Sequence, residues 1–266
     1  MSATAAVLVT PRARLLLAPN AGPMTLDGTN TWLLAEPGAS RCIVVDPGPD
    51  DPAHLQAIST EAERQALTIA LILLTHGHPD HSAGAPALAR LHGAGVLASD
   101  AAYGDPFPTE LALDGLAVRV VPTPGHTADS VCFEIPADNA VLTGDHVLGR
   151  GSSLVEYPGG RMGDYLASLA RVRALDPAIL LTGHGPVVTD PAATLARYAQ
   201  HREDRLAELR AAVVAGDETP AEMVVRVYPD LGAHLRPVAE LTVRAGLELL
   251  IERGVLTRRG DGYDVT

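Results

Sequence analysis

The sequence predicts a layered, mixed α/β fold followed by a small helical domain that ends in a β-hairpin. Three observations lead there. Apolar strand-like runs alternate with segments of helical period through most of the chain, the pattern of helices layered on sheets. The chain is 47% apolar but only 3% aromatic, so its core must be built from Leu, Val, Ile and Ala. From about Leu195 the texture shifts to charged, amphipathic helix.

Taken in order, "NTWLLAEPGASRCIVVDPG" reads as two strands around a turn at Pro37-Gly38, closed by a second turn at Asp46-Pro47-Gly48. "DPAHLQAISTEAERQA" has helical period, and "LTIALILLT" is the unbroken apolar run of a strand covered on both faces. "HSAGAPALARLHGA" returns to helix before the short strand "GVLAS". "LAVRVVPTPGHTADSVCFEI" reads as two strands joined by a Pro/Gly loop, while "NAVLTGDHVLG" and "PAILLTGHGPV" each end an apolar strand on Gly followed by Asp or His. "TLARYAQHREDRLAELRAAVVAG", "TPAEMVVRVYP" and "PVAELTVRAGLELLIERG" are helical, and "VLTRRGDGYDVT" is a hairpin turning at Gly260-Asp261-Gly262. The expected organisation is a main α/β domain over 1–194, a linking helix over 195–215 and a winged-helix-like domain over 216–266.

Composition narrows the function classes. The net charge is −12, and all 20 basic residues are arginine, which works against passive attraction to nucleic acid or anionic membrane. Cys42 and Cys132 lie in separate apolar runs and read as buried thiols rather than a disulfide framework. The N-terminal stretch has no basic region ahead of its apolar residues, and Pro11 interrupts it, so it is a poor secretion signal. No run reaches the roughly 18 apolar residues of a membrane-spanning helix. The expectation is a soluble, cytoplasmic protein.

The chemistry concentrates at "THGHPDH", where an apolar strand stops at Thr75 and His76, His78, Asp80 and His81 follow. Alternation sends His76 and His78 to one side, and Pro79 then redirects the chain so that Asp80 and His81 point elsewhere. Imidazole and carboxylate are ligands suited to zinc. Seven residues cannot close such a site alone. Three further candidates stand where other strand-like runs end: His126 in "PTPGHT", Asp145 in "LTGDH" and His184 in "LTGHG". Five histidines and two aspartates exceed the needs of one tetrahedral ion and suit two ions sharing a carboxylate.

His76-X-His78-X-Asp80-His81, with His126, Asp145 and His184 in that order, resembles the metallo-β-lactamase superfamily over about residues 20–190. The resemblance implies a four-layer αββα sandwich holding two Zn2+ ions. His76, His78 and His126 would hold one, Asp80, His81 and His184 the other, with Asp145 bridging. Zinc lowers the pKa of its water from about 15.7 to about 7, which makes hydrolysis the implied chemistry, with Asp80 as the catalytic carboxylate that orients the nucleophile.

Within the superfamily, "GTNTWLL", "TGDHVLGRGSSLVE" and "LTGHGPVVTDPAATLARYAQHREDR" resemble the lactamase-like endoribonucleases of mitochondria and their bacterial relatives. That likeness implies single-stranded RNA as substrate. Fungal thioesterases that release polyketides are also similar, which implies a small acyl substrate instead, as would a lactone or glyoxalase-II-like hydrolase. A non-catalytic, metal-binding regulatory protein is the remaining class, disfavoured by the complete ligand set. Charge speaks against RNA: phosphate contacts need a basic track, and the tail from Gly216 has nine acidic residues against six arginines. The tail is then expected to pack on the core, cover the active-site rim or form a homodimer contact. Arg150 and Arg161, flanking "GSSLVEYPGG", and Asn30, by resemblance to related "NT" strands, are the expected substrate-binding residues.

Overall fold

The computed structural model describes residues 6–266 of the chain. The elements are β1 (Val7–Thr10), β2 (Ala13–Leu17), β3 (Asn30–Leu34), β4 (Arg41–Val45), α1 (Pro52–Arg64), β5 (Thr68–Leu73), α2 (Pro79–Ser82), α3 (Ala85–His92), β6 (Gly95–Leu97), β7 (Leu111–Leu113), β8 (Leu116–Pro122), β9 (Val131–Ile135) and β10 (Ala140–Gly144). Then come α4 (Met162–Ala174), β11 (Ile179–Thr182), α5 (Pro191–Val214), α6 (Pro220–Val227), α7 (Arg236–Glu252), β12 (Leu256–Arg259) and β13 (Gly262–Val265).

Six strands form one sheet in the order β1-β2-β3-β4-β5-β6, and five form a second in the order β11-β10-β9-β8-β7. The pairs β4–β5, β5–β6 and β10–β11 are parallel and the rest antiparallel. Parallel neighbours need a crossover, and α1 and α3 supply two of them. Asp51 caps α1 by accepting from the His54 amide at 2.8 Å, with Pro52 opening the first turn. Gly93, at φ 67°, closes α3 in the left-handed region.

Why the strands are apolar on both faces follows from the layering. Trp32, Leu34, Ile43, Val45 and Leu73 meet Val118, Val131, Phe133, Ile135, Leu142 and Leu181 between the sheets. The alternate residues Leu33, Cys42, Val44, Ile69 and Ile72 pack instead with Leu55, Ile58 and Leu88 of the helices. A period-2 strand buried on both sides takes apolar residues at most positions, and the polar exceptions in β3, Asn30 and Thr31, are hydrogen-bonded. Burial pushes the Cys42 thiol up to about 12, in keeping with an inert core cysteine.

Chain order and compactness divide the molecule differently. Among the described residues, one compact unit comprises 6–122, Asp129–Gly151 and Leu175–Pro191; the other comprises Thr123–Ala128, Ser152–Ala174 and Ala192–Thr266. The first contains both large sheets with α1 and α3, which is three of the four expected layers; α4 and nearly all of α5 fall in the second. The sequence boundary at 194/195 falls inside α5, which runs unbroken for 24 residues. In the second unit, Thr219 and Glu222 form a reciprocal capping box at the start of α6. Helices α6 and α7 and the hairpin β12–β13, paired at Arg259↔Gly262, give the helix–helix–wing order. Among the described residues no helix is long and apolar enough to cross a membrane.

Candidate metal centre

The carboxyl ends of parallel strands gather the chemistry. Strand β5 ends at Leu73 and leads into His76; β10 and β11 lie side by side, with Gly144 opposite Thr182, and lead into Asp145 and His184. The two sheets are stitched together here. Asn30 Nδ2 donates to the carbonyls of Thr182 (2.9 Å) and Gly185 (2.8 Å), Trp32 Nε1 donates to Thr182 (3.2 Å), and the Val131 amide donates to the Thr75 carbonyl (2.8 Å). Gly144 has φ +48°, and a Cβ there would stand 2.6 Å from Thr75 Oγ1, so only glycine lets Asp145 approach the β5 end this closely.

Pro79 redirects the chain as the sequence predicted, by opening α2. His78 is the residue before that helix, and Asp80 and His81 lie within it. His126 sits in the short loop 123–130 between β8 and β9. Two groups of donor atoms result, each with its atoms within 4.8 Å of one another: His76, His78, His126 and Asp145, and Asp80, His81 and His184. All seven side chains singled out by the motif are thus in one group or the other.

Asp145 also faces the second group. Its Oδ1 lies 3.3 Å from both His81 Nε2 and His184 Nε2; those two nitrogens are 3.2 Å apart, and Asp80 Oδ2 lies 3.5 and 3.2 Å from them. A tetrahedron with metal bonds of roughly 2.0–2.1 Å has edges of roughly 3.3–3.4 Å. Five of the six edges of this one are therefore already in place. In the first group His76 Nε2 is 3.0 Å from His78 Nδ1.

Four of the five imidazoles, those of His76, His81, His126 and His184, have the other nitrogen engaged, which fixes ring orientation. His81 Nδ1 is 2.8 Å from Asp46 Oδ2, His76 Nδ1 is 3.0 Å from Thr75 Oγ1, His184 Nδ1 is 3.1 Å from the Gly28 carbonyl and His126 Nδ1 is 2.8 Å from the Leu154 carbonyl. Asp46 is itself held, accepting from the Thr75 amide (2.8 Å) and hydroxyl (2.7 Å). The motif reading gave Asp46 and Thr75 no role at the centre. The available signal was an acid ending the buried run "CIVVD", where a carboxylate needs several donors to be tolerated. Two of the other anchors are backbone carbonyls, which no side-chain pattern announces.

The electrostatics favour a cation. Burial works against charge on His184, yet hydrogen bonding to Asp145 and Asp80 outweighs it and raises the imidazole to about 9. Burial likewise opposes charge on Asp145, but His81 and His184 hold its carboxyl well below the usual range. A site that pulls protons onto imidazoles between two carboxylates is one that calls for positive charge.

The expected substrate residues have other engagements. Asn30 is buried and its amide is spent on the two carbonyls that join β3 to the β11 loop. Arg150 makes a two-pronged pair with Asp27 at 2.5 and 2.9 Å, and Arg161 pairs with Glu252 and Asp164. Both arginine side chains remain more than half exposed, at 52% and 62%.

Comparison with known proteins agrees with this geometry. The family model described as metallo-beta-lactamase superfamily matches residues 24–117 and 108–184. This chain belongs to the metallo-beta-lactamase superfamily. A second model, the beta-lactamase associated winged helix domain, matches residues 219–264. The superfamily fold extends to solved structures. A metallo-beta-lactamase family protein from Thermus thermophilus superposes with a TM-score of 0.80 at 24% identity over 96% of this chain and 99% of that one. A beta-lactamase domain protein from Burkholderia ambifaria gives 0.85 at 22% over 100% and 95%. Among curated relatives, the lactamase-like protein aptB of Emericella nidulans is 37% identical over 76% of this chain. An atrochrysone carboxyl ACP thioesterase of Aspergillus terreus is 34% identical over 71%. The chain spans 66% and 59% of the length of these two relatives, less than two thirds of either. Their names are lactamase-like and thioesterase; the finer likeness to endoribonucleases is not what they carry.

Proposed function

We propose that the chain is a dizinc hydrolase of acyl thioesters. The observation that carries the hydrolase reading is the pair of donor groups meeting at Asp145, one of them spaced at tetrahedral edges. His76, His78 and His126 would hold one ion, Asp80, His81 and His184 the second, and Asp145 both. When bound, such ions supply Lewis acidity and bring the pKa of water near neutrality. The protein's part is orientation and proton transfer. Asp80 has 28% of its side chain exposed against 13% for Asp145, so it is the carboxylate that reaches solvent. It orients the attacking water and takes its proton.

Two observations favour a thioester over RNA, which the sequence resemblance had placed first. The Aspergillus terreus relative is named as a thioesterase. In the tail, five of the six arginines pair with carboxylates: Arg226 with Asp217, Arg244 with Glu240, Arg253 with Glu203, Arg258 with Glu248, and Arg259 with Glu218 and Asp264. Arginines neutralised this way do not make the basic track that phosphodiesters require.

The test is metal analysis of protein expressed with ample zinc, then a substrate panel of acyl thioesters, lactones, a cephalosporin and single-stranded RNA, with His78→Ala as control. About two metals per chain and thioester hydrolysis lost in the control are expected. Cleavage of RNA alone would overturn the substrate class. Fewer than one metal per chain would overturn the enzyme reading and revive a non-catalytic role.

A further inference from the structure

The loop between β6 and β7 contains features that the hydrolase motif does not use. Tyr103 is exposed at 43%, one of the few large apolar side chains left in solvent among the described residues. Its ring lies directly against the backbone of Gly77, the residue between His76 and His78. A Cβ on Gly77 would overlap Cε2 and Cζ of that ring, so the absence of a side chain there is what admits it. The loop is held by a turn in which the Tyr103 amide donates to the Asp100 carbonyl at 3.0 Å, and the Ala102 amide donates to Asp100 Oδ1 at 2.9 Å.

The same loop, with β7 and β8, walls an open groove of about 830 Å³. Its lining includes Phe107, Leu111, Val118, Val120, Pro122 and Val131. Phe107 is pinned edge-on to the core ring of Phe133, at 5.6 Å between centroids, so this wall is fixed by the core. The groove is continuous with the metal centre's supports at one end. Pro122 and Val131 are the paired residues from which the His126 loop departs, and the Val131 amide is bonded to the Thr75 carbonyl, one residue before His76.

We infer that Tyr103 and this groove form the acyl-binding subsite, taking a long or aromatic acyl group. The apolar chain lies along the Tyr103 ring and into the groove, while its thioester carbonyl meets the His76–His81 loop. Sites for small ligands are apolar clefts with a few polar groups; this groove reaches Pro122 and Val131, the two residues that flank the His126 loop, and Tyr103 packs on Gly77 between His76 and His78. Because the occupant is an acyl thioester, the inference rests on the hydrolase reading above, and it adds chain-length selectivity and names the residues that produce it.

Two variants test it. Tyr103→Ala removes the exposed ring. Ala117→Trp, at an exposed position in the groove wall, fills the space without touching the core. Each is expected to lower kcat/KM for a long-chain or aryl-acyl thioester about tenfold, the effect of lost apolar contact, with acetyl thioester turnover and metal content unchanged. Binding of a non-hydrolysable S-alkyl thioether of the same length is read in parallel and should weaken by a similar factor. If selectivity and thioether binding both survive the two variants, the subsite is wrong while the thioesterase reading stands. If the wild type turns over no thioester, that reading fails, and the thioether titration alone decides the subsite: binding lost in Ala117→Trp supports it, binding unchanged or absent overturns it.

Discussion

The two halves of the metal centre are built to different standards. On one side His81 and His184 are completely buried, and their Nε2 atoms, with one oxygen each from Asp80 and Asp145, already stand 3.2–3.5 Å apart. Their outer nitrogens rest on Asp46 and the Gly28 carbonyl. On the other side His78 is only half-buried, His76 leans on a neutral hydroxyl, and His126 arrives on the loop 123–130 between β8 and β9. The lesson concerns preorganisation. A carboxylate–imidazole pair locked by three donors holds its ligand nitrogen in place before any ion binds, whereas a hydroxyl partner fixes the ring more weakly. The His81 half should therefore take up metal first, and the His76 half should set the concentration at which activity saturates.

The sharpest way to break this comparison is Asp145→Ala, which removes the one side chain common to both halves. Metal content should fall to one ion per chain or fewer, and turnover by a factor of about 1,000 or more. Retention of both ions with full turnover would mean Asp145 bridges nothing. Asp46→Ala reaches His76 only through the Thr75 hydroxyl, but removes the direct support of His81 in the better-held half. Affinity there should drop about 10–100-fold, reversing the filling order in a stepwise metal titration; equal losses in both halves would show that Asp46 supports the fold and not one ring.

The smallest effect lies beneath the same half. His54, outside the metal motif, is buried, with its Nε2 2.9 Å from Thr31 Oγ1, and that hydroxyl donates to the Asp46 carbonyl at 2.7 Å. Burial pushes the His54 imidazole down to about 4, so the folded protein keeps it neutral where an unfolded chain would protonate it. The folded pKa lies below the unfolded one near 6.5, so its contribution is whole above pH 6.5 and is lost as pH falls from there toward 4. Between pH 7.5 and 5.5 the wild type should lose about 1 kcal/mol more stability than His54→Gln in denaturant titrations. Parallel pH profiles for the two proteins would remove His54 from the account.

Much of this was legible in the chain. Doubly buried strands such as "LTIALILLT" announce themselves because both faces must be apolar, and helix α6 because Thr219, Pro220 and Glu222 write its first turn. Other elements were not. Strands β1, β2 and β7 and helix α4 had no expectation attached. The pattern in "LAL" is too short to separate from a loop, and "RMGDYLASLARVRA" follows a Gly/Pro-rich stretch that hides its start.

For the centre itself, sequence alone singled out the seven side chains that the fold gathers into two groups of donor atoms. It also set the alternation of faces and the helix–helix–wing tail. Only the tertiary structure decided how those donors are spaced, that Asn30, Arg150 and Arg161 are spoken for by near neighbours, and that Asp46 and two backbone carbonyls aim the rings. The physical reason is that donor identity is a property of each residue. Spacing and hydrogen-bond partnership instead depend on which chain segments meet across 100 residues or more, as when Asn30 reaches the Thr182 carbonyl.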